Sequence, residues 1–200
     1  MILVAQYLPM VATTRKFTVD EYHRLIDGGF FAKNERVELI RGEIITMSPK
    51  RTPHSVCNSL LWKTMYNLIG DRAEIRVQEP IFIPPNSEPE PDVVVAIKKD
   101  DNYLSFHPAP ADVLLVVEIS DSTLQYDRET KLYLYAEAGI NNYWIINLSD
   151  RYLEAYTKPF SDEGKFAYRS KQIVLSDETI SVPSFDNLTL DLAKVFPRYK

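Results

Sequence analysis

The chain has 200 residues, 45% of them apolar and 26% charged, with 12 tyrosines and 9 phenylalanines. That is enough for one domain with a real core, and it excludes an intrinsically disordered chain. The formal net charge of −5 excludes attachment to nucleic acid by bulk charge alone, so any such contact must rest on a local patch.

Residues 1–13 read as an N-terminal arm: Met1 to Ala12 is apolar, lacks a basic leader region and is too short to span a bilayer. A single domain is expected over 14–200, and no other run reaches membrane length. The lone cysteine, Cys57, cannot pair within the chain and reads as a small buried hydrophobe, so nothing depends on an oxidising compartment and a cytoplasmic location is expected.

Phe17-Thr18-Val19-Asp20-Glu21-Tyr22 opens a helix in which Thr18 and Glu21 fit a capping box, with Gly28-Gly29 as the stop. Arg36 to Met47 predicts a hairpin turning near Arg41-Gly42. Pro53-His54-Ser55 starts a second helix that runs to about Ile69, with Val56, Leu60, Leu61, Met65 and Leu68 at helical spacing. Strands are expected over Glu74–Ile83, Asp92–Ile97 and Asp112–Ser120. The unbroken apolar run Val113 to Val117 suits a strand covered on both faces. Pro84 to Pro91, with four prolines, can be neither helix nor inner strand. A helix over Asp127–Ala138 ends at Gly139; Asn142–Leu148 and Arg151–Tyr156 follow as paired strands, and a closing helix lies near Leu190–Phe196. This order predicts an α/β fold with a mixed central β-sheet flanked by helices, plus extra hairpins.

Two acids stand at the edges of hydrophobic strands. Asp92 precedes Val93-Val94-Val95, and Glu118 follows Val113 to Val117. Adjacent strands would bring the carboxylates together, a repulsive pair unless a divalent cation joins them, and hard oxygen ligands suit Mg²⁺ or Mn²⁺. Singly, Asp92 also reads as a turn residue and Glu118 as a strand-end charge. Lys131, early in the next helix, can point back toward Glu118 and stabilise developing charge at a phosphate; it also reads as an exposed lysine paired with Asp127. Glu38 lies in a strand, where alternation sets it opposite Val37 and Leu39 and allows simple exposure. Lys50, Arg51 and His54 flank a helix N-terminus and are candidate phosphate contacts, or an ordinary solvated turn. Gln78 is a candidate supporting group, whereas His23 and His107 have no partner at ligand spacing. With one Cys and three scattered His, and without a phosphate-binding glycine loop, GxSxG, CxxC or HExxH, zinc and thiol chemistry find little support.

The order Phe17 to Tyr22, Arg36 to Ile44, Glu88-Pro89-Glu90-Pro91-Asp92-Val93, Val117-Glu118-Ile119-Ser120, Tyr126-Asp127-Arg128 with Lys131, then Tyr135 to Ile140, closely resembles the Uma-two family of endonucleases. The resemblance covers Thr14 to Phe196. It implies a restriction-endonuclease-like core of the PD-(D/E)XK superfamily, with Pro91-Asp92 as the PD element, Glu118 as the second acid and Glu38 as an additional one. The superfamily lysine would fall at position 120, which is Ser120; within this family Lys131 matches it. The resemblance implies a metal-dependent endonuclease acting on nucleic acid, with DNA the expected substrate and Mg²⁺ or Mn²⁺ held by Asp92, Glu118 and Glu38. Glu38, Asp92, Glu118 and Lys131 would then be catalytic. Two other readings follow from the acidity and the aromatics: a nucleic-acid-binding or regulatory protein that keeps the fold without cutting, and an interaction protein. A homodimer is expected through the Met1–Ala12 arm and the Trp144 region.

Overall fold

The computed structural model describes residues 13–198, so the expected N-terminal arm lies outside the described residues except for Thr13. Helix α1 (Val19–Asp27) carries the predicted capping box, with Thr18 and Glu21 each satisfying a backbone N–H of the other. Strands β1 (Val37–Ile40) and β2 (Glu43–Thr46) form the predicted hairpin around Arg41-Gly42. Gly42 has φ of +78°, and a Cβ there would lie 2.6 Å from Lys16 Cβ, so only glycine fits beneath the segment leading into α1.

Helix α2 (Thr52–Ile69) precedes a six-stranded sheet of order β3-β4-β5-β6-β7-β8. Its strands are β3 (Glu74–Val77), β4 (Val93–Ala96), β5 (Val113–Ser120), β6 (Asn142–Asn147), β7 (Tyr152–Asp162) and β8 (Lys165–Leu175). Only β5 and β6 pair in parallel, joined by the helical crossover α3 (Leu124–Tyr126), a π-turn (Asp127–Lys131) and α4 (Leu132–Glu137). Alternation sorts the central strands onto two cores. Val93, Val95, Leu115, Val117 and Ile119 pack with Cys57, Leu61, Met65 and Ile69 of α2. Val94, Val116, Tyr143 and Ile145 pack with Leu132, Leu134 and Tyr135 of α4. The unbroken apolar run of β5 is therefore covered on both faces, as its sequence predicts.

Four expectations differ. The first strand of the sheet stops at Val77, because Gln78 adopts φ of +55° and Pro80 follows. Arg151–Tyr156 is the start of an 11-residue strand whose partner β8 is equally long; their polar alternation carries no strong apolar signature. The closing helix is replaced by β10 (Thr189–Asp191), paired with β9 (Thr179–Ser181), and a single 3₁₀ turn over Leu192–Lys194. Trp144, assigned to a subunit contact, lies in the core beneath α2 with 1% of its surface exposed.

The Pro-rich stretch is a structural brace. Leu39 and Glu88 exchange backbone hydrogen bonds of 3.4 and 2.7 Å, and Gly42 donates to the Asn86 carbonyl at 2.7 Å. These contacts fasten the β1–β2 hairpin along the segment that leads into Asp92.

Candidate active site

The antiparallel register that pairs Val93 with Val117 continues to set Asp92 across from Glu118. Ile119 N donates to Asp92 Oδ2 at 2.9 Å, which ties the two strand ends together through the acid itself. Glu38 arrives from β1, held by the Glu90 N–H at 3.1 Å. Lys131 reaches in from the crossover, with Nζ 2.6 Å from Glu38 Oε2 and 3.3 Å from Glu118 Oε1. All four side chains are buried. The open readings of Glu38 as solvated and of Lys131 as an exposed partner of Asp127 do not describe this structure.

A regular helix would not place Lys131 there unaided. The π-turn closes with Leu132 N–H donating to the Asp127 carbonyl, one residue wider than an α-turn, and it buries both Asp127 and Lys131. Asp127 Oδ2 accepts from Ser120 Oγ at 2.5 Å and Thr123 Oγ1 at 2.8 Å. Ser120 thus anchors the crossover to the end of β5. Within the same turn, Arg128 donates to the fully buried Glu154 and to the Tyr152 hydroxyl, pinning the segment to β7.

Electrostatics follow from burial. Glu118 is pushed up to about 8, first by burial and then by the neighbouring Asp127, Asp92 and Glu38, with Lys131 opposing. Burial disfavours the charged Lys131, but Glu118 and Glu38 outweigh it and hold the ammonium above its ordinary range. Asp92 is also penalised by burial, yet His54, Ile119 N–H and Gln78 overcome that and keep it below its usual value. Asp127 is raised by burial despite its hydroxyl donors. Tyr135 donates to Glu118 Oε1 at 2.8 Å, and Tyr126 reaches Glu38 Oε1 at 3.4 Å.

The group lies in a cavity of ≈ 570 Å³ whose walls include Met47 to Arg51 and Asp121 to Lys131. Lys50 and Arg51 line it, as expected for phosphate contacts, and the burial of Lys50 lowers its proton affinity. His54 differs: its Nε2 is 3.0 Å from Asp92 Oδ2, so the imidazole turns onto the acid. Gln78 Nε2 lies 3.3 Å from Asp92 Oδ1. Cys57 is one turn from His54, but burial and the charge of Asp92 push its thiol up to about 12, too high for a nucleophile.

The model for a family described as "Putative restriction endonuclease" matches residues 19–193. The chain belongs to this Uma2 family. A solved structure of "a putative nuclease belonging to DUF820 from Anabaena variabilis" covers 90% of the chain and 97% of its own, with a TM-score of 0.66 at 18% identity, and it shares the fold. No match was found among curated proteins. Glu38, Asp92, Glu118 and Lys131 of this Uma2 chain are separated by up to 93 residues in sequence and are brought together by the fold. Among the described residues of this Uma2 chain, no helix is long and apolar enough to cross a membrane.

Three or more acid, His or Cys side chains do not converge as a metal cage among the described residues. Glu38, expected as the third ligand, is engaged by Lys131 instead. The remaining donors, two facing carboxylates beside an open cavity, fit Mg²⁺ or Mn²⁺, which need only one or two protein carboxylates when water and phosphate oxygens complete the shell. They do not fit a structural zinc site.

Proposed function

We propose that this protein is a metal-dependent endonuclease that hydrolyses phosphodiester bonds, with DNA as its substrate and Asp92, Glu118, Glu38 and Lys131 as its active site. The observation that carries this reading is the buried Lys131, shared between Glu38 and Glu118 across from Asp92 at the base of a cavity rimmed by Lys50 and Arg51.

Asp92 and Glu118 would hold Mg²⁺ or Mn²⁺, which supplies charge neutralisation at the phosphate and a more acidic water. Asp92 is kept ionised by its donors and is ready to bind a cation. Glu118, which holds a proton in the cation-free site, would release it to solvent in order to serve as a ligand. Glu38 keeps Lys131 charged and in place, where the ammonium would stabilise negative charge developing at the scissile phosphate. Lys50 and Arg51 hold flanking phosphates in register without reading bases.

The test is cleavage of single- and double-stranded oligonucleotides with Mg²⁺ or Mn²⁺. Asp92→Ala and Glu118→Ala are each expected to abolish product formation; cleavage that survives both substitutions would sink the site assignment. A second reading, a nucleic-acid binder that keeps the fold without cutting, is favoured by the tight engagement of Lys131 with two acids. It predicts salt-dependent binding and no product with any divalent cation.

A further inference from the structure

Asp92 is held unevenly. Among the described residues, its Oδ2 takes two donors, Ile119 N–H at 2.9 Å and His54 Nε2 at 3.0 Å, whereas Oδ1 has only the Gln78 amide at 3.3 Å. The backbone donor belongs to β5 and stays with any side chain at position 119. The imidazole is the one close side-chain donor, and it comes from the third residue of α2, a helix of 18 residues buried along Cys57, Leu61, Met65 and Ile69.

To donate to an ionised Asp92, the imidazole must carry its proton on Nε2. That leaves Nδ1 at the far side of the ring, and Nδ1 is buried with no hydrogen-bond partner among the described residues. A group placed only for stability would have both nitrogens matched, since buried polar atoms are normally paired. Phosphate recognition, the other role open to His54, is inconsistent with a ring whose outer nitrogen is committed to the carboxylate and whose inner one is sealed from solvent.

We infer that His54 is a positioning residue that acts through Asp92: with Ile119 N–H it saturates Oδ2, and so presents Oδ1 as the single oxygen for a divalent cation. This rests on Asp92 being a metal ligand. Outer partners of ligating carboxylates set both ligand orientation and affinity, and losing one weakens metal binding about 10- to 100-fold.

The experiment is Mn²⁺ calorimetry on wild type, Asp92→Ala, His54→Leu and His54→Gln, with thermal melts of each. Glutamine can return an N–H donor to the place of Nε2 and suits an early helix position, whereas leucine cannot donate. The expected result is Mn²⁺ binding by the wild type, lost in Asp92→Ala, weakened 10- to 100-fold in His54→Leu and restored to within a few-fold in His54→Gln. A melting point in His54→Gln no higher than in His54→Leu separates this restoration from mere refolding. Wild-type-like affinity in a folded His54→Leu overturns the inference and leaves the metal site standing. Equal weakening in both His54 variants also overturns it. Wild-type protein that takes up no Mn²⁺ overturns both the inference and the metal reading beneath it.

Discussion

Lys131 is buried and lives on two carboxylates. Replacing it with methionine strands Glu38 as a buried, unpaired carboxylate beside the protonated Glu118. Lys131→Met should therefore cost about 3–5 kcal/mol of stability in denaturant melts, and the further change Glu38→Gln should recover a good part of it. A purely additive double mutant would show that the ion pair does not carry the energy. Glu118 makes a separate prediction. Its folded value near 8 lies above its ordinary 4.5, so the native state keeps a proton that the unfolded chain releases. Stability from this group is full below about pH 4.5 and declines as pH rises through about 8. The stability of Glu118→Gln relative to wild type should therefore grow between pH 5 and pH 8; a gap independent of pH would refute the shift. Of these residues, Asp92 and Glu118 are legible because hydrophobic strands end at them. Glu38 is less so, since alternation assigns it only a face and the burial of that face comes from the distant Pro-rich brace. His54 is the residue that sequence reading leaves misplaced. Beside Lys50 and Arg51 it looks like part of a basic loop, and only the packing of α2 turns it onto Asp92.

At the scale of elements, the crossover decides whether the site exists. Its π-turn widens the helix by one residue, and no local propensity in Asp127-Arg128-Glu129-Thr130-Lys131 announces it. The sequence supports a plain helix, and the extra residue is retained because Ser120 and Thr123 hold Asp127 at one end while Glu38 and Glu118 hold Lys131 at the other. Deleting the exposed Glu129 should let the segment relax to an α-helix and remove the wide turn that seats Asp127 and Lys131. The expected variant is folded, with near-native far-UV circular dichroism, but without detectable cleavage; full activity would show that the π-turn is incidental. The β4 and β5 strands are readable from apolar runs alone, whereas the β7–β8 hairpin beyond Tyr156 is half-buried or exposed and so carries no periodic signal.

Across the whole molecule, charge works against the proposed substrate. The chain is acidic, and its cavity is lined by seven carboxylates against three Lys or Arg side chains. Lys50 and Arg51 are the two of those cations at the rim, so Lys50→Ala and Arg51→Ala should each weaken binding of a phosphorothioate oligonucleotide and lower its log–log salt slope by roughly one. An unchanged slope would remove them from the interface. A homodimer remains the proposal for assembly. Since Trp144 is buried, it would rest on the N-terminal arm, and sedimentation at micromolar concentration tests it.

The brace that fastens the β1–β2 hairpin to residues 84–91 has one more consequence. The hairpin is a two-stranded sheet apart from the main one, and its Glu38 is gripped by Lys131 from the crossover. The ion pair is thus a latch between a small flap and the body. Whatever occupies the site and draws Lys131 away will loosen that latch. Deuterium uptake by the amides of Val37 to Thr46 then becomes a gauge of occupancy that needs neither a labelled substrate nor a turnover event.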